Sequence, residues 1–222
     1  MADDVSRETP APPAPDEARG VFPLDRLDLA QRYADWLAGA GVVRGLIGPR
    51  EAPRLWERHL LNCAVVGEVV PDGASVCDLG SGAGLPGLAL AIARPDLTVT
   101  LVEPLLRRTA FLEEVVADLG LEVEVVRARA EDLHGGRTFD VVTSRALAPL
   151  GRLLRWSLPL VARSGALVAM KGSSAADEVT AAARDLRRLG CARPELLSLG
   201  AGVVDPQTTV VRVVWAEQAR VG

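Results

Sequence analysis

The sequence contains few residues of the kinds that build disulfide frameworks, metal sites or membrane spans. Its three cysteines are widely spaced among 222 residues, so they form neither a disulfide framework nor a metal-binding knuckle. No hydrophobic run approaches the roughly 18–20 residues that a membrane helix needs. The acidic N-terminus also lacks the apolar stretch of a secretory signal. We therefore expect no metal and no membrane contact, and we expect the chain to work in a reducing cytoplasm.

Basic residues are almost all arginine, with Lys171 as the single lysine. The formal net charge is −4, but residues 1–20 contribute −3 of it, since they contain five acids and two arginines. The rest of the chain is nearly neutral at −1, so any surface that binds nucleic acid must be a local basic patch. Hydrophobic residues make up 49% of the sequence, enough for one buried core.

Three regions differ in pattern along the chain. Residues 1–20 are predicted to be a disordered tail, because proline, alanine and acids dominate there. Residues 21–73 contain two segments with helical periodicity and are predicted to form an N-terminal helical cap. In residues 74–222, short and nearly continuous hydrophobic runs alternate with helical periods, which is typical of parallel strands covered by helices on both faces. The sequence thus predicts an α/β fold with a Rossmann-like, mostly parallel seven-stranded sheet.

The individual elements follow from the same patterns. The predicted strands are Ser75–Leu79, Val99–Val102, Val123–Ala128, Val141–Ser144, Ala166–Met170, 194–199 and 208–216. The predicted helices among them are Leu85–Ala93, Leu105–Leu119, Leu150–Val161 and Ala175–Leu189. A loop rather than a helix separates the last two strands, which predicts an antiparallel end to the sheet.

A glycine-rich turn follows the first predicted strand. Gly80, Gly82 and Gly84 permit positive φ and allow a ligand to approach the backbone closely. Glu103 ends the second strand, where a carboxylate can accept hydrogen bonds from both hydroxyls of a ribose. Together these residues indicate a cofactor that contains a nucleoside.

Three interpretations of this turn stay open at the level of the residues. Gly82, Gly84 and Gly87 match the dinucleotide fingerprint G-x-G-x-x-G, and a purely structural turn is another interpretation. Asp78, however, would face a pyrophosphate unfavourably and suits the cationic amino-acid end of S-adenosyl-L-methionine. Pro86 also removes an N–H where a helix start would bind phosphate. The pattern D-x-G-x-G-x-G resembles motif I of class I methyltransferases, so S-adenosyl-L-methionine is the favoured cofactor.

Polar residues follow the third, fourth and fifth predicted strands. After the third, the backbone N–H groups of Ala130 and Glu131 could bind an adenine edge, although an acidic helix N-cap is the alternative. Arg145 and Lys171 end the fourth and fifth strands, where they would point into the crevice of the sheet unless they lie on the surface. The fourth strand lacks the D/N-P-P-Y/F of adenine and cytosine amino-group methyltransferases, and no cysteine adjoins a proline as in cytosine C5 enzymes. Both reaction classes are therefore disfavoured.

These motifs, in their order and spacing, resemble the RsmG family, formerly called glucose-inhibited division protein B. The segments are CDLGSGAGLPG, LVEP, RAED, FDVVTSRAL and LVAMKG, and the resemblance covers residues 24 to 216. It implies a class I S-adenosylmethionine-dependent methyltransferase that modifies N7 of a guanine in the 530 loop of 16S ribosomal RNA. It further implies that the partner is 16S rRNA or the 30S ribosomal subunit, and a monomer is the default expectation.

The resemblance and the motif residues together give a set of candidate site residues. Those expected to bind the cofactor are Asp78, Gly80, Gly82, Gly84, Leu85, Glu103, Ala130, Glu131 and Arg145. Arg145 and Lys171 are the expected catalytic residues, and Arg58, His59, Arg129 and Lys171 the expected RNA contacts. For His59, a hydrogen-bonded and half-buried histidine is the alternative. The segment Arg58–Leu61 matches the family's R-H-x-x-D-S, except that Asn62 and Cys63 replace its Asp and Ser.

The expected reaction needs little from the protein in the way of proton transfer. Guanine N7 carries a lone pair in the neutral base, so no general base is required and catalysis would rest on positioning and electrostatics. Because N7 must stay free for the methyl group, Arg145 is expected to bind O6 alone, a phosphate or the cofactor's carboxylate. Arg50, Arg54 and Arg58 form a candidate basic stripe facing RNA. Other interpretations are a small-molecule methyltransferase, a dinucleotide-dependent oxidoreductase and an inactive RNA-binding protein.

Overall fold

The computed structural model describes residues 11–217, and its centre is a seven-stranded sheet. The strands are β1 (Ser75–Leu79), β2 (Thr98–Val102), β3 (Val123–Val126), β4 (Phe139–Arg145), β5 (Val161–Lys171), β6 (Glu195–Leu199) and β7 (Thr208–Val214). Their order is β3-β2-β1-β4-β5-β7-β6. β1 to β5 pair in parallel, whereas β7 is antiparallel to both β5 and β6. This confirms the mostly parallel, Rossmann-like sheet and its antiparallel end.

Helices cover both faces of this sheet, so its central strands β1 and β4 are almost entirely buried. They are α1 (Leu27–Trp36), α2 (Leu61–Ala64), α3 (Gly87–Ala93), α4 (Leu106–Leu119), α5 (Leu150–Ser157), α6 (Ala175–Ala181) and α7 (Ala183–Arg188). Within residues 11–217 no helix is long and apolar enough to cross a membrane.

The structure corrects the predicted bounds of several elements, among them the helix predicted over Leu150–Val161, which ends as α5 at Ser157. β5 begins at Val161 rather than Ala166, because its first part pairs through Phe139↔Val161 across an irregularity in β4. That part contains the exposed Arg163 and Ser164, so it lacks the hydrophobic signal of a buried strand. The helix predicted over Ala175–Leu189 is divided into α6 and α7 at Ala182.

The N-terminal region packs on one face of the sheet and shares its core. α1 continues through a π-helical turn at Leu37–Gly41, and a second helical run extends from Ala52 to Val69 through short 3₁₀, π and α segments. Tyr33 and Leu60 of this region are fully buried in the cluster that also contains Val76 of β1. The cap thus shares one hydrophobic core with the sheet.

The prediction of a disordered tail over residues 1–20 is wrong for residues 11–20. The Trp56 Nε1–H donates to the Pro12 carbonyl at 2.8 Å, and the Ala14 N–H donates to Gln31 Oε1 at 2.8 Å. Ala18 is fully buried within a 3₁₀ turn, Asp16–Gly20. Prolines fix the backbone before folding, so the ordering of this segment costs little entropy. Residues 1–10 lie outside the described part of the chain.

Candidate active site

The predicted site residues meet at the carboxyl edge of the sheet. The ends of β1 and β2 present Asp78 and Glu103, and those of β4 and β5 present Arg145 and Lys171. The chain reverses its direction across the sheet between β1 and β4. Such a switch point opens a crevice at the carboxyl ends of parallel strands, where α/β proteins bind their ligands.

The glycine turn after β1 has the positive φ angles expected from its sequence. Gly80, Gly82 and Gly84 have φ of 73°, 58° and 94°. A Cβ at Gly84 would lie 2.4 Å from Leu88 Cδ1, and one at Gly80 would lie 2.5 Å from Leu147 Cδ1. A Cβ at Gly82 would have no neighbour closer than 3.9 Å. Gly84 is therefore required by packing against the fully buried Leu88, whereas the neighbour at Gly80 is the flexible end of the half-buried Leu147. The backbone at Gly82 is open to an approaching ligand.

Asp78 is a buried carboxyl group whose two oxygens differ in their hydrogen bonds. Its side chain is fully buried, and Oδ2 accepts a hydrogen bond from the Gly87 N–H at 2.9 Å. Oδ1 is buried and has no hydrogen-bond partner among the described residues. Burial raises the pKa of Asp78 to about 7, because the charged form is poorly solvated there. An ammonium group would satisfy Oδ1, so the site fits the amino-acid end of S-adenosyl-L-methionine.

Glu103 braces the glycine turn against β2. Its buried carboxylate accepts hydrogen bonds from the N–H groups of Gly82 at 3.1 Å and Leu105 at 3.0 Å. The Arg108 guanidinium lies 3.6 Å away. Each carboxylate oxygen has two lone pairs, so the group retains acceptor capacity for hydroxyls.

The 3₁₀ turn after β3 is capped by the side chain of Asp132, which belongs to the same turn. Ala130 is buried and Glu131 exposed in a single 3₁₀ turn, Ala130–Leu133. Asp132 Oδ2 accepts from the Arg129 N–H at 2.9 Å. The carboxylate thus caps the turn from its third position, and the N-cap residue itself is Arg129 rather than the acid of the alternative interpretation. The Arg129 side chain is exposed.

The guanidinium of Arg145 is bound to the cap. Nη2 donates to His59 Nδ1 at 2.6 Å and to the Arg58 carbonyl at 3.3 Å, and Nη1 donates to Cys63 Sγ at 3.4 Å. His59 Nε2 lies 3.0 Å from Glu51 Oε2. Burial and the Arg145 charge lower the pKa of His59 to about 4. Both ring nitrogens are bound within the protein, which fits a hydrogen-bonded, buried histidine better than an RNA contact.

Lys171 fixes the loop that follows Arg145. Its Nζ donates to Glu178 Oε2 and to the Ala148 carbonyl, both at 2.7 Å. The same Glu178 oxygen accepts from the Leu150 N–H at 2.8 Å. One N–H of the ammonium group is left for a ligand.

A cleft of about 980 Å³ lies between the cap, the ends of β4 and β5, and the loop before β7. Its lining includes Arg54, Arg58, Arg145, Lys171 and Gln207. The candidate basic stripe is partly neutralised, because Arg54 pairs with Glu57 at 2.7 Å and Arg58 with Glu51 at 3.4 Å. The stripe therefore presents less net charge than its sequence suggests.

Three contacts of this site were not predicted from the sequence. Glu51 binds His59 from the loop before the helical run, and Cys63 contacts Arg145. Tyr33, the single tyrosine, donates from α1 to the Ala83 carbonyl in the glycine turn at 2.9 Å. A usable signal exists only for Cys63, which is four residues after His59 and so shares its helix face.

The fold and the crevice define a class I S-adenosylmethionine-dependent methyltransferase. The ribosomal protein L11 methylase of Lactobacillus delbrueckii subsp. bulgaricus has the same fold, with a TM-score of 0.54 and 13% identity over 70% of this chain and 76% of that one. The O-methyltransferase NcsB1 of neocarzinostatin biosynthesis, solved with S-adenosylmethionine, gives a TM-score of 0.56 and 15% identity over 68% of this chain and 52% of its own. At such identities the likeness concerns the fold alone.

Sequence comparison identifies the family. The family model described as rRNA small subunit methyltransferase G matches residues 26–202, and the chain belongs to that family. A Nocardioides protein named ribosomal RNA small subunit methyltransferase G is 69% identical over 222 residues, which are 100% of this chain and 88% of that protein. A Salinispora tropica protein of the same name is 60% identical over 92% of this chain and 88% of its own length. The predicted family, enzyme class and cofactor are thus confirmed.

Proposed function

We propose that this enzyme transfers the methyl group of S-adenosyl-L-methionine to N7 of a guanine in the 530 loop of 16S rRNA. The observation that carries the proposal is the position of Arg145, which ends β4 beside β1 and lines the large cleft, in a chain of the rRNA small subunit methyltransferase G family. The small-molecule alternative has no comparable support.

We assign the cofactor to the β1, β2 and β3 side of the crevice. Asp78 Oδ1 would accept from its ammonium group, Glu103 from its ribose hydroxyls, and the N–H groups of Ala130 and Glu131 would bind the adenine edge. Gly80, Gly82, Gly84 and Leu85 would lie along its length. When bound, the cofactor supplies an electrophilic sulfonium methyl group.

We assign the base to the side formed by the cap, β4 and β5. A guanidinium has five N–H groups, and the contacts of Arg145 to His59, Arg58 and Cys63 use three of them. The remaining two can donate to guanine O6 or a flanking phosphate, which orients the base and leaves N7 free. Lys171 would add its third N–H at the same cleft, and Arg58 and Arg129 would contact the RNA backbone.

The substrate is expected to be the assembled 30S subunit or its 16S rRNA, in the cytoplasm, and we expect the enzyme to act as a monomer. Bases targeted by such enzymes are splayed out of the surrounding RNA, and the cleft is large enough to admit one. Sedimentation of the purified enzyme, alone and with 30S subunits, would test whether it is a monomer and whether it binds the assembled subunit.

The test uses 30S subunits from cells that lack this enzyme. They are incubated with the purified protein and methyl-labelled S-adenosyl-L-methionine, and the RNA is digested to nucleosides. We expect label in 7-methylguanosine, and a loss of at least about 100-fold with Arg145→Ala, since misplacement of a reacting group costs rates of this order. Arg163→Ala is the matched control, because it also removes an arginine, but one near the start of β5 rather than at the carboxyl ends of the strands. Its guanidinium lies 4.8 Å from the centre of the Trp215 ring. Label in another nucleoside, or no label from protein that binds the cofactor, would overturn the proposal.

A further inference from the structure

Three side chains are linked one to the next between the cap and the active crevice, and we call them the Glu51–His59–Arg145 relay. Glu51 Oε2 lies 3.0 Å from His59 Nε2, and His59 Nδ1 lies 2.6 Å from Arg145 Nη2. His59 is only 8% exposed, so few other partners compete for its ring. Glu51 reaches it from the loop before the helical run, eight residues earlier in the chain.

The proton positions in the Glu51–His59–Arg145 relay follow from its geometry. A guanidinium can only donate, so His59 Nδ1 must accept and carries no proton. In the neutral ring the proton then resides on Nε2, which donates to the Glu51 carboxylate. Because the Glu51 carboxylate can only accept, its contact with Nε2 stabilises this same tautomer against the opposite one and so keeps Nδ1 free to accept from Arg145. The opposite tautomer would direct an N–H at the guanidinium and displace it.

We propose that Glu51 is a positioning residue that fixes the tautomer of His59 and thereby holds the Arg145 guanidinium toward the cleft. This inference rests on the proposed function in one respect, namely that Arg145 contacts the guanine or its phosphate. It also gives His59 a role within the protein in place of the predicted contact with RNA. The carboxylate acts through the imidazole, so its effect on turnover depends on the presence of His59.

The tautomer can be observed without any assay of methylation. The chain has two histidines, so ¹⁵N-histidine labelling gives two ring systems, and His134→Gln identifies which belongs to His59. We expect the wild-type His59 to be protonated on Nε2 only. Glu51→Ala should produce a mixture of tautomers, whereas Glu51→Gln, whose amide oxygen still accepts, should retain the Nε2–H form. Glu113→Ala, which removes an exposed glutamate on α4, is the charge-matched control and should change neither ring.

Protonation of Nδ1 in the wild-type protein would overturn the proposal before any variant is made. An unchanged His59 tautomer in folded Glu51→Ala would do the same. If Glu51→Ala does not fold, as judged by circular dichroism, the wild-type spectrum and the Glu51→Gln variant remain decisive, since loss of the Nε2–H form in Glu51→Gln contradicts the mechanism.

A kinetic cycle tests the consequence for Arg145. Glu51→Ala should lower kcat on 30S subunits about 10- to 100-fold, as expected for a misplaced reacting group, with little change in KM for S-adenosyl-L-methionine. Glu51→Gln should stay within about threefold of wild type, since the acceptor is kept. In a His59→Gln background, Glu51→Ala should have no further effect. Equal losses with and without His59, or a loss confined to KM for the cofactor, would contradict the proposal. A wild-type protein that methylates no guanine would instead contradict the proposed function and leave the tautomer result standing.

Discussion

At the scale of single residues, burial decides the chemistry of Asp78. The pKa of this carboxyl is raised to about 7, so protonation removes the charged acceptor over an accessible range of pH. The cofactor's ammonium group stays cationic as the pH falls. Protonation of the Asp78 carboxyl would therefore be the only change that weakens the contact between these two groups. We predict that affinity for S-adenosyl-L-methionine falls by up to about tenfold per pH unit below pH 7, as measured by calorimetry between pH 7.5 and pH 5.5.

Asp78→Asn is the control for this pH dependence. The amide oxygen can still accept from the Gly87 N–H, but the variant carries no titratable charge at this position. It should bind the cofactor weakly and with a nearly constant affinity over the same range. A wild-type affinity that does not depend on pH would show that Asp78 makes no charged contact with the cofactor.

Two glycines of the turn should respond differently to an added methyl group. Gly84→Ala places Cβ 2.4 Å from Leu88 Cδ1, so we predict a loss of about 3 kcal/mol in the free energy of unfolding from strain and overpacking. Gly82→Ala has open space and should lose only about 1 kcal/mol from its positive φ. It should, however, bind the cofactor at least about tenfold more weakly, a difference of ~1.4 kcal/mol.

Gly120→Ala serves as the reference for both measurements. Its φ of 62° is close to that of Gly82, and an added Cβ would have no neighbour within 4 Å. Denaturant unfolding should therefore give similar losses for Gly120→Ala and Gly82→Ala. Equal cofactor affinity in these two variants would contradict the approach of the cofactor at Gly82.

At the scale of elements, Lys171 joins the end of β5 to the loop after β4. The pair with Glu178 is largely buried, with side chains 9% and 23% exposed. Removing the cation alone leaves a poorly solvated carboxylate, so we predict that Lys171→Met lowers the free energy of unfolding by about 2 kcal/mol.

The double variant separates stability from catalysis. Lys171→Met combined with Glu178→Gln should recover stability to within about 1 kcal/mol, because no uncompensated charge remains. We expect methylation to stay low in the double variant, since the ammonium group at the cleft is missing. Recovery of both stability and methylation would show that Lys171 serves only to hold the loop.

At the scale of the whole molecule, the net charge of −4 hides an asymmetric distribution of arginines. Arg107, Arg127 and Arg129 are exposed just beyond the ends of β2 and β3 and form no ion pair within residues 11–217. We predict that RNA affinity falls with rising salt. Changing these three arginines to glutamine should reduce the slope of log K against log salt by about 0.7 for each phosphate that the protein no longer neutralises.

The matched control for the salt titration lies on and after α7. Arg184, Arg187 and Arg193 are also exposed. They directly precede β6, which is at the opposite edge of the sheet from β3. Changing them to glutamine alters the net charge equally and should leave the slope unchanged. Equal slopes for the two triple variants would mean that RNA binds elsewhere or without local phosphate contacts.

The sequence by itself determined the parts of this protein that depend on neighbours along the chain. Hydrophobic runs predicted the sheet and its helices, because strand and helix periodicities are local properties. The turn around Gly82 and its flanking Asp78 predicted the cofactor for the same reason, since a strand, a turn and a helix start lie within a dozen residues. The first part of β5 and the packed segment 11–20 were missed, because polar or proline-rich residues there carry no periodic signal.

Only the tertiary structure decided which partners the functional side chains have. Arg145 meets His59 across 86 residues of sequence, and Glu178 binds both Lys171 and the Leu150 N–H. Nothing in the spacing of these residues specifies such contacts, because they depend on how the cap and the helices pack onto the sheet edge. Burial, which sets the charge state of Asp78 and His59, likewise exists only once the core has formed.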